Sequence, residues 1–148
     1  MRNQCLYLSA ALLSAYVVFH SCQGEQAIRR AQYTVNGQKV YAAHCQNCHG
    51  ARGEGLGSLY PPLTDSTFLL KHRDQLACVV KYGLAGPVEV NGIPFDTGMP
   101  ANPALSPIEI AYVLTYIGNS FGNSMDMFTL EEIQAGLAAC RSAGAEEE

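Results

Sequence analysis

The chain has 148 residues and a formal net charge of −4, a length that suits one domain with short appendages. The sequence contains no basic run, which argues against nucleic acid as a partner. It also contains no glycine-rich phosphate loop and no internal repeat, so neither a nucleotide-binding protein nor a repeat protein is indicated.

Residues 1–21 are typical of an export signal. Arg2 supplies a positive charge at the start, and residues 6–19 form an apolar stretch interrupted only by two serines. A membrane span needs about 20 apolar residues, so this stretch is short for one, although a retained anchor helix is the alternative. The small residue Ser21 before Cys22 resembles the end of a bacterial lipoprotein signal, and we therefore predict that lipid is attached to Cys22.

This signal determines the predicted localisation. Lipid on Cys22 would anchor the mature protein to a membrane, on the periplasmic side of a bacterial cell. Ordinary cleavage nearby is the alternative and would leave a soluble periplasmic protein. Residues 22–35 are polar and lack a clear period, which predicts a short tether between the anchor and the domain.

The first half of the domain is predicted to form a helix, a loop and a second helix. Apolar residues at helical spacing predict helices over about 36–48 and about 66–82, and Gly83 is a suitable stop for the second. Residues 50–64 between them are rich in glycine and proline and predict a loop.

The second half begins with the proline-rich residues 84–105, which predict irregular structure. Within them, residues 88–90 are expected to pair with residues 93–95 in a brief hairpin that turns at Asn91-Gly92.

The last two helices carry the clearest start signals. The third predicted helix begins at Ser106-Pro107, a favourable cap followed by a proline in the first turn, and ends at Gly118. The fourth covers about 130–141 and follows the capping box Thr129-Leu130-Glu131-Glu132. The small and acidic residues 142–148 predict a disordered tail.

No segment predicts a substantial sheet, so the expected fold class is all-α, with the domain spanning residues 36–141. Loops as long as those predicted here are unusual in a small domain unless they serve a site. An apolar cofactor enclosed by the loops would replace part of the missing core.

The strongest chemical signal is Cys45-Gln46-Asn47-Cys48-His49, the C-x-x-C-H pattern of covalent haem attachment. Two intervening residues place both thiols on one helical turn, where they reach two vinyl groups of one porphyrin. His49 then directs its imidazole to the iron, and its second ring nitrogen is expected to donate to a carbonyl. A redox dithiol would need a preceding strand and a zinc site two more close ligands, so we predict one covalent haem c.

The opposite face of the iron needs a second ligand or an open position. Met99 is the best candidate, because Gly98 lets the backbone approach the macrocycle and Pro100 stiffens the chain after it. A thioether ligand would raise the reduction potential. Four other residues are weaker candidates because of their position or their charged or loop surroundings: His44, His72, Met125 and Met127.

Two cysteines remain once those of the signal, the lipid and the haem are set aside. Cys78 and Cys140 are an even number in an oxidising compartment, and both follow apolar residues on predicted helices. We predict a disulfide that ties the last helix to the second, with two buried free thiols as the alternative.

Taken together, these residues resemble class I cytochrome c over about residues 36–141. The matching positions are Gly37, Tyr41, Cys45-x-x-Cys48-His49-Gly50, Tyr60-Pro61-Pro62-Leu63, Gly98-Met99-Pro100 and Tyr116. The resemblance implies a cytochrome c fold, with helices and long loops around one covalent haem. It also implies that Pro61 offers its carbonyl to the proximal histidine, that Leu63 packs on the haem and that Thr97 contacts a propionate.

A narrower resemblance is to single-haem cytochrome subunits of bacterial membrane dehydrogenases and to domains fused to copper nitrite reductases. Residues 83–92 and 116–123 carry it, with Phe121 where tryptophan is usual. The resemblance implies an electron carrier, not an enzyme, that exchanges single electrons with a dehydrogenase, reductase or oxidase outside the cytoplasm. A haem enzyme such as a peroxidase and a subunit docked permanently to its enzyme are the alternatives.

Overall fold

A computed structural model describes residues 24–144, with side chains to residue 140. The predicted signal peptide, Cys22 and residues 145–148 lie outside the described residues. The chain divides after Gln32 into two compact units. The described residues of the first unit, 24–32, lie in the stretch predicted as a tether, and they are helical and exposed. Alanine, glutamine, glutamate and arginine dominate this stretch, and these residues favour helix even without an apolar period.

The second unit is mostly helical in its described part, as predicted. Its helices are α1 (of which residues 33–44 lie in this unit), α2 (Gln46–His49), α3 (Ser66–Lys71), α4 (Leu76–Tyr82), α5 (Pro107–Gly118) and α6 (Leu130–Gly144). Over residues 24–144, no helix is long and apolar enough to cross a membrane.

The predicted hairpin is confirmed between α4 and α5. Strands β1 (Val88–Val90) and β2 (Ile93–Phe95) pair antiparallel, with Val88 opposite Phe95 and Val90 opposite Ile93. Asn91 and Gly92 form the turn, with φ angles of 53° and 73°. Two successive residues with positive φ match the right-handed twist of the strands, which explains the asparagine and glycine at these positions.

The helix predicted over residues 66–82 is wrong as a single element, because α3 and α4 are separated by a turn. The His72 carbonyl accepts from the backbone N–H groups of Gln75 and Leu76, at 2.9 and 3.1 Å. Arg73 in this turn reaches the start of α6, where its Nε donates to Glu132 Oε1 at 2.7 Å. Its guanidinium also lies 3.8 Å from the ring centre of Phe128. The break therefore serves contacts with a distant part of the chain.

Both predicted helix caps are present. Ser106 N donates to the Glu109 carboxylate at 2.8 Å at the start of α5. Before α6, Glu132 N donates to Thr129 Oγ1 at 3.1 Å, and Thr129 N donates back to the Glu132 carboxylate at 3.4 Å. Helix α6 runs to Gly144, so the first residues of the predicted disordered tail are helical.

Helix α5 forms the centre of the core. Its inward residues are buried: Ile110, Ala111, Val113, Leu114 and Ile117. Helix α1 crosses it closely at Gly37, where an added Cβ would lie 2.7 Å from Tyr116 Cβ. The rings of Tyr41 and Tyr116 lie 5.4 Å apart beside this crossing. These are the helix contacts that the resemblance to cytochrome c implies.

A disulfide joins α4 to α6. Cys78 and Cys140 are the pair for which the sequence predicts one, and their Cα atoms lie 6.1 Å apart. That separation lies within the usual range for disulfides. The bond links α6 to α4, which contributes Leu76, Val79 and Val80 to the lining of the cavity described below.

Candidate haem-binding site

The second unit encloses an apolar cavity between α2, α4, α5 and the hairpin. The empty volume, including the solvent space at its open mouth, is about 960 Å³. Every residue for which the sequence predicts a haem contact lines this cavity: Cys45, Cys48, His49, Pro61, Leu63, Thr97 and Met99. The fold therefore brings together residues that are spread over more than 50 positions of the chain.

Helix α2 positions the attachment motif. The Cys45 carbonyl accepts from Cys48 N at 3.2 Å and from His49 N at 3.0 Å, so the three side chains share one turn. Both thiols are free and half-buried. Burial, with a smaller contribution from Cys48, raises the pKa of Cys45 to about 11. Because redox dithiols need a lowered thiol pKa, this environment does not suit that alternative.

The His49 imidazole is oriented by a backbone carbonyl. Its Nδ1 lies 3.0 Å from Pro61 O. A carbonyl can only accept, so Nδ1 carries the proton and the lone pair of Nε2 is left for a metal. Burial lowers the pKa of His49, and the bond to Pro61 opposes this only in part. Burial thus favours the neutral ring, and the bond to Pro61 selects the tautomer that a metal ligand requires.

Tyr41 holds the end of the attachment helix. Its hydroxyl donates to the Gly50 carbonyl at 2.7 Å, directly after His49. Burial raises the pKa of Tyr41 above its ordinary value, so the hydroxyl remains a donor. Sequence reasoning assigned Tyr41 only to the crossing of α1 and α5, and the folded structure adds this second contact.

Met99 reaches the same cavity from an extended segment. It pairs with Leu84 as an isolated bridge, in which each backbone N–H donates to the other residue's carbonyl at 2.9 Å. The preceding Gly83 has a φ of 82°, and a Cβ there would lie 2.9 Å from Ala101 N. Gly98 packs closely too, since an added Cβ would be 3.1 Å from Leu84 O. Glycines therefore permit the close approach that places Met99.

The four weaker ligand candidates have other surroundings. His44 is exposed on α1, and the His72 ring stacks on Phe68 with centroids 4.5 Å apart. Met125 is buried against Gly118 beneath α5. The Met127 carbonyl accepts a hydrogen bond from Arg73 at 3.2 Å. None of these four side chains lines the cavity.

Asn123 is a site-supporting residue that sequence reasoning missed. Its Nδ2 donates to Leu63 O at 2.7 Å and to Ile117 O at 2.9 Å, and its side chain is buried. Asn123 thus fastens the loop that contains Leu63 to the end of α5. Because its partners are 60 and 6 residues away, no local pattern marks it.

Residues 34–120 match the family model described as Cytochrome c. Two curated relatives, both called Cytochrome c-552, come from Thermus thermophilus. Each alignment is 34% identical over 108 residues and covers 67% of this chain and 82% or 72% of the relative. The family match covers more than half of the chain and includes both the attachment motif and Met99.

Proposed function

Because this chain belongs to the class I cytochrome c family, whose members bind haem c covalently, we propose that it transfers single electrons between redox proteins outside the cytoplasm. We further propose that Cys45 and Cys48 attach the haem and that His49 and Met99 are its axial ligands. The observation that carries this proposal is the convergence of the attachment motif and Met99 on one apolar cavity.

The residues of the cavity fit a haem by their chemistry. The cavity lining is mainly aliphatic, which suits the apolar faces of a porphyrin. His49 offers an unprotonated Nε2 and Met99 a thioether, a ligand pair that cytochromes c use to raise the reduction potential. Thr97 lines the cavity yet is exposed, so a polar group at the mouth would meet both Thr97 and water. When bound, the haem iron supplies one-electron exchange between its ferrous and ferric states.

The protein's own contribution is to hold the ligands still and to keep water out. Pro61 fixes the His49 ring, and Leu84 fixes the backbone of Met99 with two hydrogen bonds. Val113 and Leu114 of α5 close the cavity with buried aliphatic side chains. Because backbone groups hold both ligands, little should reorganise between the two oxidation states, which favours fast electron exchange.

Substitution of Met99 tests the ligand assignment. The oxidised protein should show the weak near-infrared band of sulphur-to-iron charge transfer, and Met99→Ala should abolish it. Met127→Ala is the matched control, because Met127 does not line the cavity, and it should keep the band. A band that persists in Met99→Ala would place the ligand elsewhere.

The partners and the location are part of the proposal. A family of electron carriers implies redox proteins as partners, and we propose that they dock transiently at the mouth of the cavity through a small interface. Cys22 lies outside the described residues, so lipid anchoring on the periplasmic side rests on the sequence of residues 6–22. Purification separates a mobile carrier, which is isolated alone, from a permanent subunit, which arrives with its enzyme.

A further inference from the structure

The segment that follows Met99 is hydrogen-bonded to α4. Residues 100–105 contain two prolines, Pro100 and Pro103, which have no backbone donor. One backbone bond joins the segment to α4, from Asn102 N to Val80 O at 3.2 Å. The segment ends at Leu105, which is buried.

The side chain of Lys81 supplies two further hydrogen bonds between α4 and the segment. Its ammonium donates to Pro103 O at 2.7 Å and to Leu105 O at 2.8 Å, so one side chain from α4 serves two carbonyls of the segment. Hydrogen bonds from an ionised donor are about twice as strong as those between neutral groups. The carboxylate of Glu109, at the start of α5, also interacts with this charge. The pKa of Glu109 is lowered mainly by hydrogen bonds from Ser106, and the positive charge of Lys81 lowers it by a smaller amount.

We propose that Lys81 is a positioning residue for Met99. The backbone of Met99 is held on one side by Leu84, two residues beyond the end of α4, and the chain beyond Met99 is held by Lys81 from within α4. Both contacts come from the same end of one helix, so α4 and the Met99 segment form a single clamped unit. Loss of the ammonium leaves two carbonyls without this donor and lets the segment leave α4 more easily.

This inference rests on the proposed ligation of Met99, and exogenous imidazole tests it. Imidazole added to the oxidised protein competes with Met99 for the iron and removes the near-infrared band. Its apparent affinity rises with the fraction of protein in which Met99 is released. The band amplitude against imidazole concentration therefore measures how firmly the protein holds Met99, while far-ultraviolet circular dichroism monitors the fold.

Three variants, with a fourth in reserve, make the test specific. Lys81→Met removes the donors and should bind imidazole roughly tenfold more tightly, the effect expected for hydrogen bonds to a charged group. Lys71→Met, at the exposed end of α3, removes the same charge and should bind as the wild type does. Lys81→Arg keeps the charge and the donors, so its imidazole affinity should return most of the way to that of the wild type. Lys81→Gln, whose shorter side chain has two neutral N–H donors but no charge, replaces Lys81→Met if the latter does not fold.

The outcomes separate the inference from the function it rests on. Equal imidazole affinities in Lys81→Met and Lys71→Met would overturn the role of Lys81 while Met99 remained the ligand. A general loss of stability in Lys81→Met, with an unchanged imidazole affinity, would overturn it as well. Absence of the near-infrared band from the wild-type protein would instead overturn the ligation by Met99, and the inference with it.

Discussion

Removal of the Cys78–Cys140 disulfide should destabilise the protein substantially. The bond closes a loop of 62 residues. In the chain-entropy model, a cross-link over a loop of this length removes enough disorder from the unfolded chain to stabilise the folded state by about 4 kcal/mol. The contribution matters here because, among the side chains of α6 that the structure describes, the large buried ones are Ile133 and Leu137.

Urea unfolding of Cys78→Ala, Cys140→Ala and the double variant measures this contribution. Because all three lack the same bond, they should lose the same free energy of unfolding, about 4 kcal/mol at most. The wild type treated with a thiol reductant should match them. Each sample should be held in the ferrous state, so that the reductant does not change the oxidation state of the iron.

Two results would refute this reasoning. Titration of the unfolded and unreduced protein, in a form that begins after Cys22, should find no reactive thiol beyond the haem-linked cysteines. Two reactive thiols would show that the bond does not form. Single variants that each lose little, together with a double variant that loses the sum, would show that the cysteines act separately and not as a cross-link.

The remaining predictions concern packing, a buried hydrogen bond and the N-terminus. Gly37→Ala should lower the free energy of unfolding by about 1–3 kcal/mol, because its methyl group would overlap α5. Gly136→Ala, whose nearest neighbour would be 3.4 Å away, should cost nothing in the same urea titration. Thr115→Val should cost about 1–3 kcal/mol, since the Phe128 N–H would lose its 3.0 Å bond to the buried hydroxyl, whereas Thr115→Ser should keep that bond. Intact-mass measurement of the membrane fraction should find lipid on Cys22, and a soluble form that begins beyond Cys22 would contradict this.

Several elements were predictable because their determinants lie close together in sequence. The Asn91-Gly92 turn, the Ser106 cap and the Thr129 capping box each depend on residues no more than four positions apart, and the structure confirms each of them. The attachment motif is equally local, since one helical turn contains both cysteines and the histidine. In all of these cases the backbone geometry follows from short-range hydrogen bonds that the residue types specify.

The break between α3 and α4 shows where such reasoning fails. Apolar residues on both sides of the break keep helical spacing, so the sequence predicts one helix. Arg73 instead bonds Glu132, 59 residues away, and lies over Phe128. No pattern within the segment contains that information. Residues 24–32 show a different limit of periodicity, because their helix follows from propensity in a stretch that has no apolar period.

The chemistry of this protein can be read from its amino-acid sequence. Motif spacing predicts which residues attach the haem, and the residues around Met99 indicate the best candidate for the second ligand, because both signals are local. What holds these residues in place follows from the folded chain. Lys81 and Asn123 bond carbonyls 22 to 24 and 60 residues away, and their role follows from a chain path that closes only on folding. A hydrogen bond from a side chain to a carbonyl far away in sequence follows no periodicity and no fixed spacing. It can therefore be recognised only when the folded structure gives the positions of both donor and acceptor.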